Sequence, residues 1–151
     1  MRLYFDTNLF YYRYCPSENS EIVDSILNQL TSDDIVLTCE IMIAEMFRAF
    51  KKQTNLGVIE KSDMEMAINF LLSDVKKLEQ ENKIQLIPVT MNTIMKSKDF
   101  ITEQNLYAVD AIHAATAVIH QCDEFLTFDG DFKNIHIGIP IIHPEEKIFH
   151  P

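Results

Sequence analysis

Leu3-Tyr4-Phe5-Asp6-Thr7-Asn8 is a short apolar run that stops at an acid and two turn-making residues. Bulky side chains in succession, without polar alternation, suit a strand buried on both faces, as in parallel sheets. Near the other end, Phe125-Leu126-Thr127-Phe128-Asp129-Gly130-Asp131 repeats the pattern of a β-rich run ending in an acid. Between them, Ile35–Thr38 and Gln85–Val89 read as further strands, and Pro140–Ile142 as a short fifth. Pro88 marks the third strand as an edge or a strand end, because proline has no N–H for a ladder.

Helical stretches separate these runs. One is expected around Glu18–Leu30, where Ile22, Ile26, Leu27 and Leu30 recur at helical spacing, and another over Glu40–Lys52. Ser62 with Glu65 has the form of a capping box before a long helix striped by Met64, Ala67, Ile68, Leu71, Val75 and Leu78. Helices over Met91–Gln104 and Val109–Gln121 complete the pattern. Strands alternating with helices imply an α/β fold of three layers, with a parallel four- to five-stranded sheet flanked by helices. With 151 residues and no repeat or linker, residues 1–151 are expected to form one domain.

The bulk composition narrows the setting. Hydrophobic residues make up 47% and charged residues 24%, the balance of a globular chain. The cysteines, Cys15, Cys39 and Cys122, are odd in number and lack metal-site spacing, which suits free thiols in a reducing compartment. An acid at position 6 interrupts any leader-like apolar run, and no stretch reaches the roughly 18 apolar residues of a membrane span. A cytoplasmic location without membrane contact is therefore expected. The formal net charge of −10 counts against a nucleic-acid binder unless some of the acids share a site whose charge a metal cancels.

In an open parallel sheet, sites form beyond the carboxyl ends of the strands. Asp6 and Asp129 stand at two such ends, and a carboxylate there is costly unless it is solvated, hydrogen-bonded or paired. Each could simply close a turn; together they would point into one crevice. Asp110 opens a helix, Asp110-Ala-Ile-His-Ala-Ala-Thr-Ala-Val-Ile119, that is apolar nearly all round. Its position suits an N-terminal cap or an anion stabilised by the helix dipole. Glu45 follows the second strand and faces away from the apolar stripe of Ile43, Met46, Phe47 and Phe50; it also fits a surface pair with Arg48. If these acids converge they need a counter-charge. Oxygen ligands favour Mg²⁺ or Mn²⁺ over zinc, and such ions suit phosphoryl chemistry.

Other residues are more ambiguous. Arg48, Lys51 and Lys52 could hold RNA phosphates or serve the C-terminal dipole of their helix. Asn8 could hold a metal-bound water or close the turn. His113 reads as a satisfied packing histidine, and His120, His136, His143 and His150 show no ligand spacing. Tyr11, Tyr12 and Tyr14 could stack on bases, although packing is the favoured account.

Four segments also occur in the order of a known family. Leu-Tyr-Phe-Asp6-Thr7-Asn8, Thr38-Cys-Glu-Ile-Met-Ile-Ala-Glu45-Met-Phe-Arg48, Val109-Asp110-Ala-Ile-His-Ala-Ala-Thr-Ala117 and Phe125-Leu-Thr127-Phe-Asp129-Gly-Asp131-Phe132 resemble the successive motifs of PIN-domain nucleases. The resemblance implies Mg²⁺- or Mn²⁺-dependent endoribonuclease activity on RNA. It makes Asp6, Glu45, Asp110 and Asp129 the catalytic and metal-holding quartet, supported by Thr7, Asn8, Thr127 and Asp131. Among small members the chain is similar to VapC toxins of toxin–antitoxin pairs, which implies a small antitoxin partner and a homodimer. The alternative is a non-catalytic PIN-fold module that binds RNA or protein. A haloacid dehalogenase-type phosphatase fits poorly, since Asn8 stands where that class needs a second Asp.

Overall fold

The computed structural model describes residues 1–15, 17 and 19–147; Glu18, where the first long helix was expected to begin, and His150 lie outside them. Five strands, β1 (Arg2–Phe5), β2 (Ile35–Cys39), β3 (Ile84–Ile87), β4 (Glu124–Leu126) and β5 (Ile141–Ile142), form one sheet in the order β3-β2-β1-β4-β5. All four pairings are parallel, with Tyr4 opposite Leu37 on one side and Phe125 on the other. β3 is an edge strand that stops immediately before Pro88, which accounts for the proline without loss of a ladder bond.

Alternate strand residues feed two cores, as the two-residue period of a strand requires. Leu3, Phe5 and Val36 pack with α1 (Thr7–Tyr14), α2 (Ser20–Gln29), α3 (Ile41–Asn55) and α4 (Lys61–Gln80). Tyr4, Leu37 and Phe125 pack on the other face with α5 (Met91–Gln104) and α6 (Ala108–Ile119). The result is the three-layer α/β/α arrangement with a parallel sheet. Among the described residues, no helix is long and apolar enough to cross a membrane.

Two local expectations change. Thr7–Tyr14 is a helix and not a turn, because Asp6 takes an extended conformation and caps it, its carboxylate accepting the Thr7 N–H at 2.7 Å. The run Tyr11-Tyr12-Arg13-Tyr14 has weak helix propensity, so packing decides its form. Tyr12 meets Phe128 edge-on at 4.9 Å and Tyr14 donates to Asp74 at 2.7 Å. The long helix begins two residues earlier than the Ser62–Glu65 pair implied. Glu60 is its N-cap, and the Asp63 carboxylate accepts the Glu60 N–H at 3.2 Å. Ser62 lies inside the first turn, and Glu65 pairs with Lys61 at 3.8 Å instead.

Candidate functional site

The strand order sets the location of the site. From β1 the chain moves outward to β2 and β3, then crosses back to place β4 on the other side of β1. A crevice opens at such a reversal, beyond the carboxyl ends of β1 and β4. Asp6 directly follows β1, and Thr127 to Asp129 directly follow β4.

Asp6 is 5% exposed and its carboxylate is fully engaged. Oδ1 accepts the Thr7 N–H, while Oδ2 accepts the Thr127 hydroxyl and the Asn8 amide, each at 2.7 Å. Asn8 also donates to Thr127 Oγ1 at 2.9 Å and accepts the Phe128 N–H at 3.1 Å, so it stitches the two strand ends together. Its amide is therefore committed to structure. Thr127 Oγ1 in turn accepts the Asp129 N–H at 2.9 Å, which ties the orientation of Asp6 to the start of the Asp129 turn. Burial pushes the Asp6 carboxyl above its ordinary value, opposed by His113 and by these hydrogen bonds.

Asp129 is exposed and caps a 3-10 turn over Gly130–Phe132, its Oδ1 accepting the Asp131 N–H at 2.8 Å. Asp131 thus supports Asp129 through its backbone, while its own side chain faces solvent.

Asp110 lies in the first turn of α6 and is partly buried. Its carboxyl is pushed up to about 6, first by burial and then by the charges of Asp6 and Asp129, with Glu45 adding and His113 opposing. The dipole of α6 was expected to favour the anion; burial and three neighbouring carboxylates outweigh it. The same cross-talk shows that Asp6, Glu45, Asp110 and Asp129 share one field.

Glu45 does not make the surface pair with Arg48. It sits on α3 with its side chain 32% exposed; Oε2 accepts from Thr7 Oγ1 and meets His113 Nε2 at 2.8 Å, and Thr7 Oγ1 itself lies 3.1 Å from that nitrogen. His113 is fully buried on α6 and satisfied, as a packing histidine should be, but its partners are site residues. Its Nδ1 meets the Tyr4 hydroxyl at 2.7 Å, and Tyr4 is itself fully buried. Neither Tyr4 nor a His113–Glu45 contact was anticipated from the sequence. The one available signal was a polar ring on a helix that is apolar all round, which must find partners in the interior.

The donor set is all carboxylate oxygen, suited to a hard divalent ion. Among the described residues Asp110 accepts no hydrogen bond, whereas Asp6 is held on both oxygens. No three His, Cys, Asp or Glu side chains among the described residues form a ready ligand group. A hard ion there would keep water in its shell, which is the usual habit of Mg²⁺.

Two open grooves flank the acids. Arg48 and Lys52 line one of about 520 Å³ with Glu45 and Val109, while Lys51 does not contribute. The other, about 580 Å³, runs past Thr127 and Asp129 to Lys133, His136 and His143.

A five-stranded parallel sheet with acids beyond the strand ends at its reversal point is an α/β fold of the kind that carries a site in that crevice. The sequence model of the PIN domain matches residues 3–137, and the chain belongs to the PIN domain family. Among solved structures it is similar to FitAB bound to an IR36 DNA fragment, with a TM-score of 0.70, 19% identity and 99% of both chains covered. VapBC2 from Rickettsia felis bound to a DNA fragment from their promoter gives 0.67 at 15% identity, covering 94% of this chain and 98% of that one. Mycobacterium tuberculosis VapC20, described as a Sarcin-Ricin loop cleaving toxin, gives 0.63 at 13% identity, covering 91% and 99%. These likenesses show the fold. No curated protein matches the sequence.

Proposed function

We propose that this chain is a Mg²⁺- or Mn²⁺-dependent endoribonuclease that hydrolyses RNA phosphodiesters, and that it acts in the cytoplasm as the toxin of a toxin–antitoxin pair. The observation that carries the reading is Asp110, a carboxyl pushed up to about 6 by burial and by the acids around it. Such uncompensated charge is what a divalent cation would neutralise. Asp6, Glu45, Asp110 and Asp129 would hold the ion, which when bound would supply an activated water and stabilise charge growing on the phosphate.

The protein's own groups do the positioning. Thr127 and Asn8 hold Asp6, Thr7 and His113 hold Glu45, and the Asp131 backbone holds Asp129. Arg48 and Lys52 line the groove beside Glu45 and would meet the RNA backbone there; Lys51 is not among the residues lining it. The toxin assignment draws on the toxin–antitoxin complexes that share the fold. A net charge of −10 suits a small antitoxin with a basic segment. Met91, Ile94 and Met95 are exposed apolar side chains on α5 and offer a face for a homodimer.

The test is cleavage of single-stranded RNA by the purified chain with Mg²⁺ or Mn²⁺, with and without EDTA. Activity should require the metal and fall by at least about 100-fold in Asp6→Asn and Asp110→Asn, as loss of a metal-holding acid implies. Equal cleavage by wild type and Asp6→Asn would sink the reading. Absence of both cleavage and Mn²⁺ binding in wild type would leave the non-catalytic binding module.

A further inference from the structure

Tyr4, His113 and Glu45 form a continuous hydrogen-bonded chain from the middle of the sheet to the acid cluster. It begins at the Cys39 N–H, which donates to the Tyr4 hydroxyl oxygen at 3.0 Å. Thr116 also lies beside the phenol, its own hydroxyl donating to the Ile112 carbonyl. The short contact of the Tyr4 hydroxyl is with His113 Nδ1 at 2.7 Å, and the phenol hydrogen is assigned to it. A nitrogen that accepts carries no hydrogen, so in the neutral ring the hydrogen sits on Nε2. Nε2 lies 2.8 Å from Glu45 Oε2.

We infer that Tyr4 and His113 are positioning residues: the Tyr4 hydroxyl selects the imidazole tautomer that donates from Nε2, and that N–H holds Glu45 as an ionised, correctly turned ligand. The inference deepens the metal reading above, since it treats Glu45 as one of the ion's carboxylates.

The geometry gives the device its precision. Tyr4 lies on the central strand β1, its ring stacked on Phe125 of the neighbouring β4 at 5.1 Å with the rings 8° apart. His113 meets its edge at 5.8 Å, and both residues are fully buried, so water cannot stand in for either partner. Two donors, Thr7 Oγ1 and His113 Nε2, converge on Glu45 Oε2, while Oε1 accepts no hydrogen bond among the described residues. One oxygen is thereby anchored and the other left for the ion. The opposite tautomer would aim a lone pair at Oε2 and repel it. A lysine or arginine in place of His113 would carry a permanent charge and compete with the ion, whereas a neutral N–H orients the carboxylate without cancelling it.

The spectroscopic test uses the full chain with ¹⁵N-labelled histidine in metal-free buffer, with the pH stepped upward from about 8 until His113 is neutral. The steps are needed because burial is outweighed by the Glu45 hydrogen bond and the charges of Asp6 and Asp110, which hold its imidazole above the ordinary value. Long-range ¹H–¹⁵N correlation reads which ring nitrogen is protonated, and His113→Gln assigns the signal. Wild type should show His113 protonated at Nε2, and Tyr4→Phe should lose that preference. A His113 protonated at Nδ1, or a preference unchanged by Tyr4→Phe, overturns the inference.

Calorimetry with Mn²⁺ supplies the second readout. His113→Leu should bind about 10- to 100-fold more weakly, as the loss of a group that orients a ligand does, with kcat falling rather than KM rising. His113→Gln, whose amide reaches the same place, should recover most of the affinity. A wild type that binds Mn²⁺ while His113→Leu matches it overturns the relay alone. A wild type that binds no Mn²⁺ overturns the metal reading and the relay with it.

Discussion

Asp110→Asn should make the metal-free protein more stable while abolishing the proposed activity. The Asp110 carboxyl is moved from an ordinary 3.8 to about 6, chiefly by burial and by the charges of Asp6 and Asp129. Below pH about 3 the group is protonated in folded and unfolded chains alike, and it contributes no difference. Between about 4 and 6 the unfolded chain ionises first, so the folded state loses ground as pH rises. Above about 6 the whole penalty is present. Two pH units correspond to about 3 kcal/mol at ~1.4 kcal/mol each. Because Asp110 is only partly buried, solvent screening reduces this to about 1–2 kcal/mol. Asparagine keeps the shape and removes the charge. Urea denaturation in EDTA should therefore show Asp110→Asn about 1–2 kcal/mol more stable than wild type at about pH 8, and indistinguishable from it at about pH 3. Adding Mg²⁺ should stabilise wild type by mass action, by about 2.7 kcal/mol at one hundred times its Kd, and the variant much less. A variant no more stable at the higher pH refutes the shared-field argument. A gain of equal size at both pH values would assign the effect to helix capping and not to charge.

Three further outcomes follow from single contacts. Tyr4→Phe keeps the stack on Phe125 but orphans the buried Cys39 N–H, and should cost about 1–3 kcal/mol in chemical denaturation. Thr38 is fully buried and its hydroxyl has no hydrogen-bond partner among the described residues, so Thr38→Val should leave stability unchanged or raise it by up to about 1 kcal/mol, measured the same way. Replacing Arg48 and Lys52 together by Ala should raise KM for RNA and flatten its salt dependence, whereas Lys51→Ala should do neither; steady-state cleavage at two salt concentrations separates them.

Much of this protein is written locally in its chain. The buried strands were legible because Leu3–Phe5 and Phe125–Leu126 lack polar alternation, and the helices because apolar side chains recur at their period. Asp6, Asp110 and Asp129 stood out because an acid beside a buried run is costly and calls for a reason. Local pattern was least informative where propensity is weak or signals compete. The tyrosine-rich stretch after Asp6 is helical through packing, and Glu60 with Asp63 displaced the equally plausible Ser62 with Glu65 as the cap.

The strand order and the partners of each acid belong to the tertiary structure. Nothing local says that β4 lies beside β1, yet that neighbourhood brings Thr127 to Asp6 across 121 positions. Glu45 read as easily as half of a surface pair, and His113 as core filler. Only folding brings His113 to Glu45 across 68 positions and to Tyr4 across 109. Hydrophobic period is a property of neighbouring residues, so the sequence displays it directly. A hydrogen bond between distant side chains depends on how whole layers pack, and no short stretch of chain carries that information.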